Sequence, residues 1–222
     1  MKHVSWSVLA LWTTAACAVH FTPMVTPQKI PPVSPPIQAR ALLLITPSFE
    51  EYLAREKNGL RQVFHFGEAA TKALSTLVTE SFAVAEIRRV AAVDVPSLVA
   101  GPADTSVVDI VLVPSFESAG ARLRMTYGDP VYISTAIVDS LHVSNQIESM
   151  KILAGVALRL NARSFRTGRT FTWVSVGGTG PVEGSWQRAT GLALESALHV
   201  LSDSLAAHRA ELELDGHAVQ RK

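Results

Sequence analysis

The strongest constraint on the fold is a run of alternating side chains between Ile152 and Ala162. Apolar residues occupy every second position of this run, and in its second half the polar residues Arg159 and Asn161 stand between them. Such alternation is typical of an antiparallel strand with one face in the core and one in solvent. Thr167-Gly168 can then turn the chain into a second strand, Thr170–Val176. The sequence therefore predicts a β-hairpin over residues 152–176.

Two segments have the 3.6-residue periodicity of amphipathic helices. The first, Gly67–Ser81, begins with a glycine and an acidic residue, and the second, Ser185–His208, begins at a serine suited to an N-cap. The predicted apolar face of the second helix consists of Trp186, Ala189, Ala193, Leu194, Ala197, Leu198, Leu201 and Leu205.

Further strands are predicted from continuous or mixed apolar runs. Ala41–Thr46 and Val107–Val113 are almost wholly apolar, as in strands buried on both faces, and we expect the second to stop at Pro114. Phe82–Val90 and Val131–Val143 mix apolar and polar residues, which indicates partly exposed strands.

This order of elements predicts an α/β (α+β) fold, in which two main helices pack on a mixed sheet in a two-layer sandwich. Residues 41–210 are predicted to form a single globular domain, which is long enough for one core. We expect residues 211–222 to be a polar C-terminal tail.

The first seventeen residues have the parts of a secretory signal peptide. Lys2-His3 is a basic start, Val4–Trp12 is an apolar run, and Ala15-Ala16 are small residues before a cut. The apolar run is too short to span a bilayer, which takes about 20 residues. We therefore expect a signal peptide over residues 1–16 and a mature chain that begins at Cys17, the only cysteine in the sequence.

Thr14-Ala15-Ala16-Cys17 resembles the bacterial lipobox, although that motif prefers Leu at the position of Thr14. The resemblance implies that Cys17 is acylated and holds the protein in membrane lipid. Ala18 stands where an Asp would retain a lipoprotein in the inner membrane, so the resemblance further implies the outer membrane, on its periplasmic side. The alternative is an ordinary signal peptide that leaves a soluble periplasmic protein with a free thiol.

Residues 17–40 follow as a proline-rich segment. Six prolines are interleaved with Thr, Gln and Ser, a composition that favours extended polyproline II. We expect this segment to be a tether with a reach of about 70 Å when fully extended. The alternative is a proline-rich ligand for an SH3-like groove.

Charge and motifs argue against nucleic acid, metals and cofactors. Without Lys2 the mature chain has 19 basic and 19 acidic residues, which gives a net charge of zero and no basic footprint for nucleic acid. The loop 177–184 joins a strand to a helix as phosphate-binding loops do, but Ser185 stands where a P-loop has lysine. Histidines are scattered without metal-ligand spacing. We expect no cofactor and no metal.

Catalytic residues are also not predicted. Asp139-Ser140-Leu141-His142 contains the residue types of a hydrolytic triad, but neighbours on one strand point to opposite faces, and no Gly-x-Ser-x-Gly motif is present. We therefore expect a protein that is not an enzyme.

The hairpin tip carries the best candidate for a binding surface. Arginine and aromatic residues concentrate around it, and both residue types are enriched at protein interfaces. The candidate partner-binding residues are Arg163, Phe165, Arg166 and Arg169. The alternative is a solvated tip with Phe171 and Trp173 in the core.

The whole pattern resembles the envelope lipoproteins whose fold is like the TolB amino-terminal domain, a group that includes YajG, LpoB and CsgG. The similar features are the helix start Gly67-Glu68-Ala69-Ala70, the strand Asp109–Pro114, the long hairpin and the small-residue-rich last helix. The resemblance implies an outer-membrane-anchored periplasmic lipoprotein that acts as a non-catalytic binding or scaffolding module, with an envelope protein or a cell-wall polymer as partner. Alternatives are a periplasmic small-ligand carrier or enzyme that uses a pocket at loop 177–184, and an oligomeric secretion or assembly accessory.

Overall fold

A mixed β-sheet organises the chain. The computed structural model describes residues 18–26, 29–55, 62–100, 108–127, 131–133, 142–144, 147–165, 167–180, 182–183 and 185–216. The strands are β1 (Val19–Phe21), β2 (Ile37–Ile45), β3 (Leu53–Arg55), β4 (Gln62–His65), β5 (Phe82–Arg89), β6 (Ile110–Tyr127), β7 (Val131–Ile133), β8 (His142–Ser144), β9 (Ile147–Ser164), β10 (Thr170–Gly178) and β11 (Val182–Glu183). The helices are α1 (Pro47–Glu50), α2 (Phe66–Ser81), α3 (Val95–Ala100), α4 (Trp186–Ala207) and α5 (Arg209–Gly216), and a 3-10 turn spans Ala92–Asp94.

The main sheet has the strand order β10-β9-β6-β2-β5, and β11 adds a short pairing to β9. β2 runs parallel to both β5 and β6, whereas β9 is antiparallel to β6 and β10. Two smaller sheets, β1-β4-β3 and β7-β8, lie outside this path. The predicted fold class, a mixed sheet with helices packed on it in two layers, is confirmed.

The core lies between one face of the main sheet and the helices α2 and α4. Every second residue of β9 from Ile152 to Ala162 is buried there, as the alternation predicts. All predicted apolar positions of α4 belong to the same core, seven of them buried and Trp186 partly so. On the other face, Leu42 and Leu44 of β2 form a smaller cluster with Val108 and Val111, packed against residues of α3.

β6 continues well beyond the predicted stop at Pro114, so that prediction is wrong. Pro114 lies inside the strand, opposite Leu160 of β9. Because the ladder between β2 and β6 ends at Leu112, Pro114 sits where one side of β6 has no strand partner among the described residues, and sheets tolerate proline at such an edge. The strand predicted over Val131–Val143 corresponds in part to β7 and β8, and its residues 134–141 lie outside the described residues.

Much of the proline-rich segment packs on the domain, which corrects the prediction of a free tether. We call residues 18–36 the N-terminal strap. Its apolar residues Ile30 and Val33 are each only 3% exposed. The Met24 amide donates to the Gln187 carbonyl of α4 at 2.9 Å. Apolar side chains between the prolines supply the buried area that a purely polar spacer would lack. Cys17 and the predicted signal peptide lie outside the described residues.

The predicted polar tail is likewise partly structured. α5 includes residues 211–216, and Leu212 is completely buried against the main core. The Gln38 amide of β2 donates to the Glu213 carboxylate at 3.3 Å, so this helix borders the start of the central strand. The domain therefore extends at both ends beyond the predicted limits of 41 and 210. Among the described residues, no helix combines the length and apolar character needed to cross a membrane.

The start of α4 provides a first test of the structure. The Ser185 hydroxyl accepts a hydrogen bond from the Arg188 amide at 3.2 Å, which confirms the predicted N-cap. We expect Ser185→Ala to lower the free energy of unfolding by about 1 kcal/mol, because the amide loses its acceptor. Ser185→Asp is the matched control and should stay close to wild type, since aspartate is an equally good cap. Urea denaturation of both variants checks this, and an equal loss in both would contradict it.

Candidate functional site

The turn of the predicted hairpin is held by its own backbone. The Ser164 amide donates to the Arg169 carbonyl at 2.9 Å, and the Gly168 amide donates back to the Ser164 carbonyl at 3.0 Å. Gly168 has a φ of 70°, the left-handed conformation that glycine adopts without strain. The predicted turn at Thr167-Gly168 is therefore confirmed.

Several of the candidate binding residues at this tip have partners within the domain. Arg169 donates to the Glu211 carboxylate at 2.8 Å, and its guanidinium lies 5.2 Å from the centre of the Phe171 ring. Phe165 is half-buried against the smaller apolar cluster. Arg163 is half-buried, and its Nε is buried without a hydrogen-bond partner among the described residues. Arg166 lies outside the described residues.

The aromatic residues that follow the tip are structural. Trp173 is 7% exposed, stacks with Phe171 at 5.6 Å between ring centres, and donates from Nε1 to His208 Nδ1 at 3.3 Å. Phe171 is partly buried against the main core. The hairpin tip is thus built onto the two C-terminal helices, and its cationic side chains are partly engaged there.

A broader uncovered surface lies beside the tip. We call it the open face, meaning the side of β6, β9 and β10 that points away from α4. Val174 and Val176 of β10 stand on it with 49% and 65% of their surface exposed. Large aliphatic side chains that remain this exposed on neighbouring positions are typical of a surface that another molecule covers.

Three glycines form a row across the open face. Gly155 of β9 lies opposite Gly120 of β6 and also opposite Gly178 of β10. A methyl group added at Gly120 would meet nothing within 4 Å, and at Gly155 and Gly178 its nearest neighbours would be 3.9 and 3.7 Å away. Neither crowding nor a positive φ requires glycine at these three positions. Glycines of this kind in strands are found where another backbone or a ligand approaches closely.

Two of these glycines, Gly120 and Gly155, form the floor of an open groove of about 510 Å³. Its lining is mostly small or aliphatic and includes Ala157, Leu153 and Val176, while Ser118, Arg122 and Thr179 contribute its polar side chains. The Thr179 hydroxyl already accepts a hydrogen bond from the Ala154 amide at 3.2 Å. The groove can therefore contact a partner mainly through its shape and its apolar side chains, because few polar groups converge on one point in it.

The end of the open face near the groove is basic. Arg122 and Arg124 are exposed, and Arg124 lies directly opposite Lys151, with Glu183 on the other side of that lysine. Like charges directly opposite on neighbouring strands are destabilising in the isolated protein. Glu183 offsets one of these three positive charges, and an anionic partner at this end would offset the others.

The opposite end of the sheet holds a partly buried ion pair, in which the Arg40 side chain is 31% exposed. Asp109 is 7% exposed and accepts hydrogen bonds from the Arg40 guanidinium at 3.1 Å and from the Arg40 amide at 2.9 Å. The hydrogen bond to Asp109 raises the pKa of Arg40, and burial opposes part of this rise. Arg40 therefore stays protonated through the physiological range, and the pair fixes β2 against the start of β6.

The loop 177–184 does not form a phosphate cradle in its described part. Gly177 packs against the backbone of α4, where an added methyl group would come within 2.2 Å of Ala193 O. The Thr179 amide donates to the Ala154 carbonyl at 3.0 Å and so continues the pairing of β10 with β9. Among the described residues, no group of three His, Cys, Asp or Glu side chains is placed to hold a metal ion.

Sequence reasoning missed the glycine row because its members are far apart in the chain. A signal was present in β9, where Gly155 occupies an outward position in an otherwise regular alternation. Only the strand register brings Gly120 and Gly178 beside it.

Comparisons with known proteins give a distant structural likeness. No family model matches the sequence, and no curated protein matches it. The fold is similar to the crystal structure of protein XCC0632 from Xanthomonas campestris, of the family DUF330, with a TM-score of 0.48 and 12% sequence identity. The match covers 88% of this chain and 97% of that chain. A likeness this distant transfers no activity to the chain.

Proposed function

We propose that this protein is an outer-membrane-anchored periplasmic lipoprotein that acts as a non-catalytic binding or scaffolding module in a complex of the cell envelope. The anchor is proposed from the sequence, in which a basic start, a short apolar run and two alanines precede Cys17. The acylated Cys17 would be the attachment to membrane lipid, since stable anchoring takes more than one acyl chain and mature lipoproteins carry several.

The observation that carries the binding role is the uncovered open face. α4 packs against one side of β9 and β10, whereas the other side presents Val174, Val176 and the glycine-floored groove to solvent. An exposed apolar surface rimmed by arginines is typical of a protein interface. The hairpin tip, of which the structure describes Arg163, Phe165 and Arg169, borders this face. We propose that these residues and Arg166, which lies outside the described residues, form part of the binding surface.

A non-catalytic role fits the chemistry of the groove. Of the three polar side chains that line it, the Thr179 hydroxyl is engaged with the Ala154 amide, and no carboxylate or imidazole of the described residues lines it. General acid–base catalysis needs a titratable group within hydrogen-bond reach of the reacting atoms. The groove is better suited to an extended segment of a partner that lies along the strands.

One alternative is favoured by a specific observation. The groove reaches Gly177 and Thr179 at the start of loop 177–184, where a small-ligand carrier would have its pocket. A carrier would bind a small apolar or anionic molecule here, whereas the binding module contacts a macromolecule. The oligomeric accessory differs from both in that a second copy of this chain covers the open face.

The anchor is tested by the mature protein itself. We expect mass spectrometry of the N-terminal peptide to find acyl chains on Cys17, and we expect the protein to partition with membranes. The Cys17→Ser variant should lack the acyl chains and appear in the soluble fraction. A wild-type protein that is soluble and carries an unmodified Cys17 would contradict the proposed anchor.

The binding role is tested by cross-linking in cells. A photo-reactive amino acid at Val176, which is 65% exposed, should give an adduct of defined mass, whereas one at Leu214, which is 72% exposed on α5, should not. Gly155→Leu fills the groove and should reduce the Val176 adduct by about tenfold, the effect of losing about 1.4 kcal/mol of binding.

The outcomes separate the candidates. A Val176 adduct that Gly155→Leu suppresses supports the binding module, and an adduct of twice the chain mass supports the oligomeric accessory. A co-purifying small molecule that Gly155→Leu displaces, with no protein adduct, supports the carrier. Equal adducts at both positions would show that the open face is not a specific surface.

A further inference from the structure

The distance between the proposed lipid and the folded domain is very short. Only Ala18 separates Cys17 from Val19, the first residue of β1. Consecutive Cα atoms are about 3.8 Å apart, so two steps of chain span at most about 8 Å. The Cα atom of a lipidated Cys17 would therefore lie within about 8 Å of that of Val19 in β1, rather than about 70 Å away on a free tether.

β1 itself is attached to the domain by several contacts. It pairs in parallel with β4, and His20 Nδ1 lies 2.8 Å from His65 Nε2. The Phe21 ring packs 5.9 Å from the Phe64 ring and 6.5 Å from the Trp186 ring, measured between ring centres. The following residues of the N-terminal strap are held by α4, so the chain does not become free again after β1.

The strap is held along its whole described length. The Thr26 amide donates to the Glu195 carboxylate at 2.6 Å, and the Ser202 hydroxyl donates to the Pro31 carbonyl. Farther on, the Val33 amide donates to the Ser81 hydroxyl at 3.0 Å. These contacts distribute the attachment over α4 and α2, so β1 and the rest of the strap stay in place together.

The small sheet β1-β4-β3 has the composition of a surface that meets lipid headgroups. Its ten residues include no aspartate or glutamate. Leu53 is 50% exposed, and Arg55 is exposed beside it on the same face, two residues further along β3. Val19, at the start of β1 and next to the proposed lipid, is 52% exposed. An apolar side chain can enter the interface of a bilayer, and a nearby cation is attracted to anionic headgroups.

From the chain length and this composition we infer that a phospholipid bilayer is the partner of the β1-β4-β3 sheet, so that the domain rests directly on the membrane in one orientation. The inference rests on the lipidation of Cys17 proposed above. Each contact is weak, but the covalent lipid makes the contact intramolecular and so raises its effective concentration. The opposite end of β2, where α5 packs, then points away from the membrane.

Energy transfer to the bilayer tests this orientation. The lipidated protein is reconstituted in vesicles of phosphatidylethanolamine and phosphatidylglycerol that contain a headgroup-linked acceptor dye. Donor dyes are placed on Leu53→Cys of β3 and, in a separate variant, on Leu214→Cys of α5, which is 72% exposed. β3 follows the last residue of β2 after the short helix α1, whereas α5 contacts Gln38 near the start of β2. The nine residues of β2 separate these two ends by about 30 Å. Transfer from position 53 should exceed transfer from position 214 by at least about twofold, given that separation.

An insertion is the matched control. Twelve Gly/Ser residues between Ala18 and Val19 leave Cys17 and β1 intact but lengthen the reach, so the difference between positions 53 and 214 should shrink towards zero. Mass spectrometry of each sample reports the lipid on Cys17. Lipidated protein with equal transfer from both positions would overturn the orientation and leave the proposed function standing. An unmodified Cys17 would overturn both.

Discussion

Gly177→Ala is expected to lower the free energy of unfolding by about 3 kcal/mol, at the upper end of ordinary overpacking. The added carbon would lie 2.2 Å from the Ala193 carbonyl oxygen and 2.2 Å from the Ala197 nitrogen, both in the backbone of α4. A backbone cannot rotate away as a side chain can, so β10 and α4 must separate. In a domain of this size, such a loss lowers the Tm by about 6–12 °C.

The neighbouring glycine is the control. Successive residues of a strand point to opposite faces, so Gly178 stands on the open face, where an added methyl group would meet its first neighbour at 3.7 Å. Gly178→Ala should change the free energy of unfolding by no more than about 0.5 kcal/mol. Calorimetry and urea denaturation of both variants measure the difference. Equal losses would show that α4 does not pack directly on β10.

Gly191→Ala should also destabilise the protein, although the same change usually stabilises a helix by about 1 kcal/mol. The carbonyl oxygen of Met24 would lie 1.9 Å from the new methyl carbon, because the N-terminal strap crosses α4 at this residue. We expect the free energy of unfolding to fall by about 2 kcal/mol. The amide protons of Met24 and Thr26, which donate to Gln187 and Glu195, should exchange faster.

The sign of this effect distinguishes a packed strap from a free tether. If residues 18–36 were unattached, Gly191→Ala would stabilise the protein by improving the helix, and hydrogen exchange in the strap would not change. Gly155→Ala serves as a control for the loss of a glycine elsewhere, since it adds a methyl group on the open face with 3.9 Å of clearance. Stabilisation by Gly191→Ala would therefore contradict the packed strap.

The packed strap also changes how far from the membrane the N-terminal segment would place the domain. A tether of about 70 Å would let the domain reach partners far from the membrane. If Cys17 carries the proposed lipid, the strap docked on α2 and α4 requires any partner of the open face to come to the membrane surface or extend from it. The anchor would then fix the position of the open face relative to the membrane.

The C-terminal half of the fold could be predicted well from the sequence. The alternation of Ile152–Ala162, the turn at Thr167-Gly168 and the apolar face of α4 follow from short-range periodicity, and all three are confirmed. Local patterns succeed here because side-chain direction is fixed by the secondary structure within a few residues.

The sequence alone therefore determined the strands β2, β5, β9 and β10, the helices α2 and α4, and the apolar faces of β9 and α4. Only the tertiary structure decided that the proline-rich segment packs on α2 and α4, that β6 runs through Pro114, and that Gly120, Gly155 and Gly178 lie side by side. Each of these depends on residues that are distant in the chain. The N-terminal strap packs on α4 because Gly191 leaves room for the backbone of Met24. β6 can include Pro114 because its pairing with β2 ends at Leu112, and the glycines lie side by side because of the register of three strands. Composition and periodicity describe neighbours along the chain, whereas packing and strand register depend on which surfaces meet in space.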